Sequence, residues 1–97
     1  MTIETIRQEL SEKIKLIDPI GKTLKFDIDG NYMYIDGTGD QNTMNTENHD
    51  ADCTVIMGLD TYTKLQKKQI KPMIATLTGK LKVKGDLGVA RKLKQLM

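Results

Sequence analysis

The sequence predicts an α+β fold, a mostly antiparallel sheet with helices covering one face. Three observations carry that expectation. Apolar residues recur at helical spacing near both ends of the 97-residue chain. Apolar and charged residues alternate in "TLKFDID" (23–29) and "KLKVK" (80–84), as in strands with one buried face. Asp29-Gly30 stands between two strand-like runs and supplies the residues of a tight hairpin turn.

Each element has its own signal. Ile3, Ile6, Leu10, Ile14 and Ile17 fall on one stripe of an amphipathic helix over residues 3–17, with Thr2 as N-cap. "DPIG" (18–21) ends it, because proline disfavours helical geometry in the residue before it. Leu24, Phe26 and Ile28 form the inward row of the first strand. The return strand, Tyr32 to Asp36, mixes apolar and phenolic residues on both faces. Residues 37–50, "GTGDQNTMNTENHD", are polar and read as a long exposed loop. "ADCTVIMG" (51–58) is a third strand rich in β-favouring residues. Asp60 is placed to N-cap a helix holding Tyr62, Leu65 and Gln69, and Pro72 suits the first turn of another. Leu81 and Val83 are the inward row of a fourth strand, which leaves Lys80, Lys82 and Lys84 in the solvent row. Gly85 lets the strand turn into a closing helix capped by Asp86, with Val89, Ala90, Leu93, Leu96 and Met97 on one side.

Length and composition bound the rest. Residues 1–97 suffice for a single domain with one core. One cysteine, Cys53, excludes an internal disulfide and a cysteine-rich zinc site. The N-terminal stretch lacks the long apolar run of a signal peptide, and no segment is apolar enough to cross a bilayer, so a cytoplasmic location is expected. The net charge of +2 is unevenly spread. Residues 1–50 hold five Lys/Arg against ten Asp/Glu, and residues 51–97 hold ten against three. A basic half of that kind suits an anionic membrane surface, or it is one solvated face of a two-signed domain.

The residues that could carry chemistry do not assemble into a catalytic signature. His49, the lone histidine, and Cys53 are four residues apart, but Cys53 shares the alternate positions of Val55 and Met57, which suits a small core residue. Asp36, Thr38, Asp40 and Glu47 fall at the first, third, fifth and twelfth places of a calcium loop, yet Gln41 stands where that loop needs glycine. Gly79-Lys80 opens a strand and does not close a phosphate loop. Residues 63–97 contain no aromatic side chain, so base stacking and nucleic-acid binding are not expected. The sequence therefore predicts a protein that is not an enzyme, with no metal and no cofactor. What remains is a group of soft aliphatic residues, among them Met57, Leu59, Leu65, Ile70, Met73, Ile74 and Leu77, fit for an ordinary core or for a cavity that takes a flexible apolar ligand.

"ADCTVIM" (51–57), "KP" (71–72) and "TGKLKVKGDLGVARKLKQL" (78–96) resemble the sterol carrier protein type 2 family of lipid-transfer domains. The resemblance spans most of the chain and agrees with the order of elements above. It implies a nonspecific lipid binder with an apolar tunnel between sheet and helices, taking fatty acid, fatty acyl-CoA, phospholipid or sterol. Together with the aliphatic group it nominates Phe26, Met57, Leu65, Ile70, Met73, Ile74 and Leu77 as lining, with Val89, Leu93 and Leu96 of the closing helix as a wall or lid. Similar domains also serve as noncatalytic accessory modules of lipid or quinone pathways, and there the fold would dock a partner enzyme and the pocket would be vestigial.

Overall fold

The computed structural model describes residues 2–92, and the chain is built outward from one hairpin. Strands β1 (Thr23–Ile28) and β2 (Asn31–Asp36) pair antiparallel, with Leu24 opposite Ile35 and Phe26 opposite Met33. Asp29 and Gly30 both have positive φ, 50° and 81°, as the two central residues of a type I′ turn require. The mixed character of β2 resolves cleanly: Met33 and Ile35 are buried, while Tyr32 and Tyr34 take the other face.

Two further strands join by different routes. β3 (Thr43–Asn45) adds antiparallel to β2, and β4 (Cys53–Met57) runs parallel to β1 on its far side. β5 (Leu81–Gly85) pairs antiparallel with β4, giving the order β3-β2-β1-β4-β5. The sheet is thus mixed, three antiparallel pairings and one parallel. The parallel pair arises because the connection after β3 carries the chain back across the hairpin. β4 then enters beside β1, with Leu24 opposite Cys53 and Ile28 opposite Met57.

Helices cover the inward rows. α1 (Ile3–Lys13) buries Ile6 and Leu10, and the Thr2 hydroxyl accepts from the Thr5 N–H at 3.2 Å as its N-cap. α2 (Leu59–Gln66) buries Thr61, Tyr62 and Leu65. The short α3 (Pro72–Leu77) starts on proline and buries Ala75, and α4 (Leu87–Ala90) buries Val89 beneath its Asp86 cap. These residues join Leu24, Phe26, Ile28, Met33, Ile35, Val55 and Leu81 in one core. Lys80, Lys82 and Lys84 are exposed, so the register of β5 is the one that alternation predicts.

Three local expectations are corrected. The first helix ends at Lys13, not residue 17, because Asn42 donates to the carbonyls of Ile14 (2.9 Å) and Asp18 (3.1 Å) and so takes over its last turn. Residues 37–50 are not a plain exposed loop, since they contain β3 and the buried Asn42, and Met44 packs against the core. Asp60 is not the cap of α2. Gly58 holds that position, and the Asp29 carboxylate accepts from the Leu59 N–H at 2.8 Å across the sheet, leaving Asp60 to pair with Lys64 at 3.1 Å. The closing helix is described only through residue 92. Leu93, Leu96 and Met97 lie outside the described residues.

Candidate functional site

The nominated lining residues divide by depth. Phe26 on β1, Met57 at the end of β4, Leu65 on α2 and Val89 on α4 are buried members of the core. Ile70, between α2 and α3, is partly buried against it. α3 then turns its other side outward. Met73 is 73% exposed, Ile74 46% and Leu77 75%, while Ala75 is fully buried. On a helix with 3.6 residues per turn, 73, 74 and 77 share one face and 75 lies roughly opposite. A six-residue helix has too little circumference to bury an aliphatic stripe on each side. The sheet takes the smallest side chain and leaves three large ones unburied.

Among the described residues, the hydrophobic core around this region holds no Asp, Glu, Lys, Arg or His side chain. The Tyr62 hydroxyl brings a polar group into that core, buried with its ring and accepting from Gln66 Nε2 at 2.9 Å. Burial pushes its pKa up to about 12, with the hydrogen bond from Gln66 opposing, so the phenol is neutral at any physiological pH. Tyr62 has no place among the nominated lining residues. Its helical spacing from Leu65 signals burial, but nothing in the sequence marks its hydroxyl as a polar group within the core.

Lys67 and Lys68 at the end of α2 and Lys71 before α3 are all exposed, so cations flank the apolar face of α3. An open cleft of about 340 Å³ lies where the outward faces of β1, β4 and β5 meet the hairpin turn. Asp27, Asp29, Lys80 and Lys82 line it, a charged surface unsuited to an acyl chain.

The sequence's other constellations stay apart. Cys53 is buried on the inward face, and burial, followed by the charge of Asp86, raises its thiol above the ordinary value. His49 is exposed, pairs with Glu47 and meets the outward Tyr34 ring edge-on at 5.2 Å. The two are on opposite sides of the sheet. Asp36, first in the calcium-like spacing, accepts from the backbone N–H (2.9 Å) and hydroxyl (2.5 Å) of Thr38, which holds its carboxyl below the usual range. Among the described residues, no three His, Cys, Asp or Glu side chains gather to hold a metal ion.

The described residues thus form an α+β domain, a helix-covered sheet with an aliphatic core and an exposed aliphatic face on α3. Residues 3–97 match the SCP-2 sterol transfer family, and the chain belongs to it. Family and fold together support lipid or sterol binding or transfer. The bovine hydroxysteroid dehydrogenase-like protein 2 is 40% identical over 47 residues, which are 48% of this chain and 11% of that protein. The matched stretch is thus about a tenth of the relative's length. Among solved structures, the sterol carrier protein 2 like 2 of Aedes aegypti superposes with a TM-score of 0.78 at 21% identity, covering 98% of this chain and 95% of that one. Its palmitated form in solution gives 0.73 at 24% identity over 96% and 91%. The ubiquinone synthesis protein UbiJ-SCP2 gives 0.70 at 23% identity over 99% and 92%. Among the described residues, no helix is long and apolar enough to cross a membrane.

Proposed function

We propose that this chain is a nonspecific lipid carrier. It binds an acyl chain or sterol-like ligand along the aliphatic side of α3, over an interior formed by Phe26, Met57, Leu65, Ile70 and Val89. The observation that carries this reading is the outward face of α3, with Met73, Ile74 and Leu77 unburied beside an uncharged core. Removing apolar ligand surface from water contributes roughly 25 cal/mol per Å², and a flexible chain needs no directional partner to gain it. The palmitated form of a structural neighbour supports a fatty acyl ligand as the first to test. Such a site works by burial and needs neither a nucleophile nor a cofactor, so the domain binds and does not catalyse.

Titration with a fluorescent fatty acid in membrane-free buffer tests the proposal. The ligand should bind at one site per chain, and Ile74→Asp should weaken it strongly, since a carboxylate beside the acyl chain costs several kcal/mol by rough transfer scales. Ile74 is half exposed, so the fold should survive the change. Saturable binding by neither fatty acid, acyl-CoA nor sterol would reject the carrier. One structural neighbour favours a second reading. The likeness to UbiJ-SCP2 supports an accessory module of a lipid or quinone pathway, in which the outward face of α3 would contact a partner enzyme.

A further inference from the structure

We infer that the open cleft on the outward face of the sheet binds a small soluble zwitterion, with an ammonium at one end and a phosphate at the other. The inference goes beyond the carrier reading and does not depend on it. At about 340 Å³ the cleft lies at the lower end of the range for small-molecule sites. Strand register builds it. Asp27 on β1 stands opposite Ile56 on β4, and Ile56 stands opposite Lys82 on β5, so one outward row runs acid, aliphatic, base. Asp29 at the hairpin turn and Lys80 at the entry to β5 line the same cleft, with Gly58 following Ile56 along its floor.

The opposite charges face each other without meeting. Among the described residues, Asp27, Asp29, Lys80 and Lys82 have no ion-pair partner. The carboxylates are pinned to the turn: Asp27 accepts from the Gly30 N–H at 2.9 Å, and Asp29 from the Leu59 N–H at 2.8 Å. Each spends one oxygen on that bond, and its second oxygen has no hydrogen-bond partner among the described residues. A Cβ at Gly58 would meet nothing nearer than the Asp29 carboxylate at 3.4 Å, so the floor beside Ile56 is open to a ligand.

Distance and charge select that ligand. Two strand spacings put the acidic and basic strands about 9.6 Å apart. A charge-assisted hydrogen bond of about 2.8 Å at each end leaves roughly 4 Å between the ligand's cation and its anionic oxygen. A 2-aminoethyl phosphate has that span, and two lysines match the charge of a phosphate better than that of a single carboxylate. The helices cover the other face of the sheet. A lipid whose headgroup entered the cleft would leave its chains in water, so the ligand is a soluble one.

Titration of the isotope-labelled chain with phosphoethanolamine, read by amide NMR shifts, tests the site. The Gly30, Ile56 and Gly58 amides should shift and saturate together. Inorganic phosphate alone and ethanolamine alone each lack one end, and each should bind about tenfold or more weakly. Lys82→Gln and Asp27→Asn should each weaken phosphoethanolamine about tenfold. The Asn amide oxygen still accepts from the Gly30 N–H, so the turn should persist. Gly58→Ala should weaken binding with every charge in place. Lys84→Gln, at a lysine of β5 that does not line the cleft, should bind as the parent does. Circular dichroism establishes that each variant is folded. Absence of saturable shifts, or inorganic phosphate binding as tightly as phosphoethanolamine, would overturn the inference. So would folded variants of Asp27, Gly58 and Lys82 that bind like the parent, or a Lys84→Gln loss equal to that of Lys82→Gln. Displacement of the free compound by phosphatidylethanolamine vesicles would overturn the soluble ligand in favour of a lipid. Fatty acid binding should be unchanged in all these variants, so the carrier reading stands or falls separately.

Discussion

Asn42 donates its Nδ2 to the carbonyl of Ile14, 2.9 Å away, and so ties the segment after β2 to the end of α1. Its Oδ1 accepts from the Ile20 N–H at 2.9 Å, and Nδ2 also reaches the Asp18 carbonyl at 3.1 Å. The side chain is 6% exposed. One amide therefore satisfies the backbone on both sides of the Asp18-Pro19 turn.

Asn42→Ala should cost roughly 3 kcal/mol, because it strands buried backbone groups that water cannot reach. Asn42→Asp should be no better, since a carboxylate cannot donate to the carbonyls of Ile14 and Asp18. Urea unfolding should show a lower midpoint for both with little change in slope.

Gly85 should be the least tolerant glycine of the sheet. Its φ is +100°, and a Cβ there would sit 2.2 Å from the Asp52 carbonyl oxygen across the β4–β5 pair. The contact is with backbone and cannot rotate away. Gly85→Ala should destabilise by roughly 3 kcal/mol or more, visible as a large drop in Tm.

Lys68 offers the opposite experiment. The Gln69 N–H bonds the Lys64 carbonyl at 2.8 Å and the Lys68 N–H bonds that of Leu65 at 3.1 Å, a Schellman ending with lysine at the left-handed position. Lys68→Gly should raise stability by about 1 kcal/mol, measured by thermal unfolding. A loss would mean that the lysine makes a compensating contact.

Lys22 and Asp86 make stability pH-dependent at both extremes. The hydrogen bond and charge of Asp86 raise the Lys22 pKa, and Lys22 together with the N–H groups of Val89 and Gly88 lowers that of Asp86. The Asp86 contribution is present above its ordinary value of 3.8 and is lost as pH falls through the depressed folded value. The Lys22 contribution is present below its ordinary value of 10.5 and is lost as pH rises through the raised one. Asp86→Asn keeps a capping side chain but not the charge, so it should flatten both limbs of a Tm-against-pH profile. A profile unchanged by Asp86→Asn would show that the pair contributes nothing.

The fold was largely legible because its signals are periodic and local. Alternation placed Leu24, Phe26, Ile28 and Leu81 inward, and Thr2, Asp29-Gly30, Pro72 and Asp86 took the capping and turn roles their chemistry suggests. What escaped is long-range. β3 is three residues long, and its only inward side chain is Met44, so it carries no periodicity of its own. The parallel entry of β4 beside β1 and the capping of α2 by Asp29 join residues about thirty apart, which no local pattern encodes. In the site, sequence grouped Met57, Leu65, Met73, Ile74 and Leu77 as one aliphatic set. Depth separates them, because a six-residue α3 spends its smallest side chain, Ala75, on the sheet.

Native mass spectrometry of the chain purified from cells without added lipid tests the carrier most directly. The account predicts a population heavier than the bare chain by the mass of one fatty acid or comparable lipid, removed by organic extraction and restored by adding fatty acid. The Ile74→Asp variant should carry less of it. A bare chain at every condition, with no adduct even after incubation with fatty acid, acyl-CoA and sterol, would contradict the carrier.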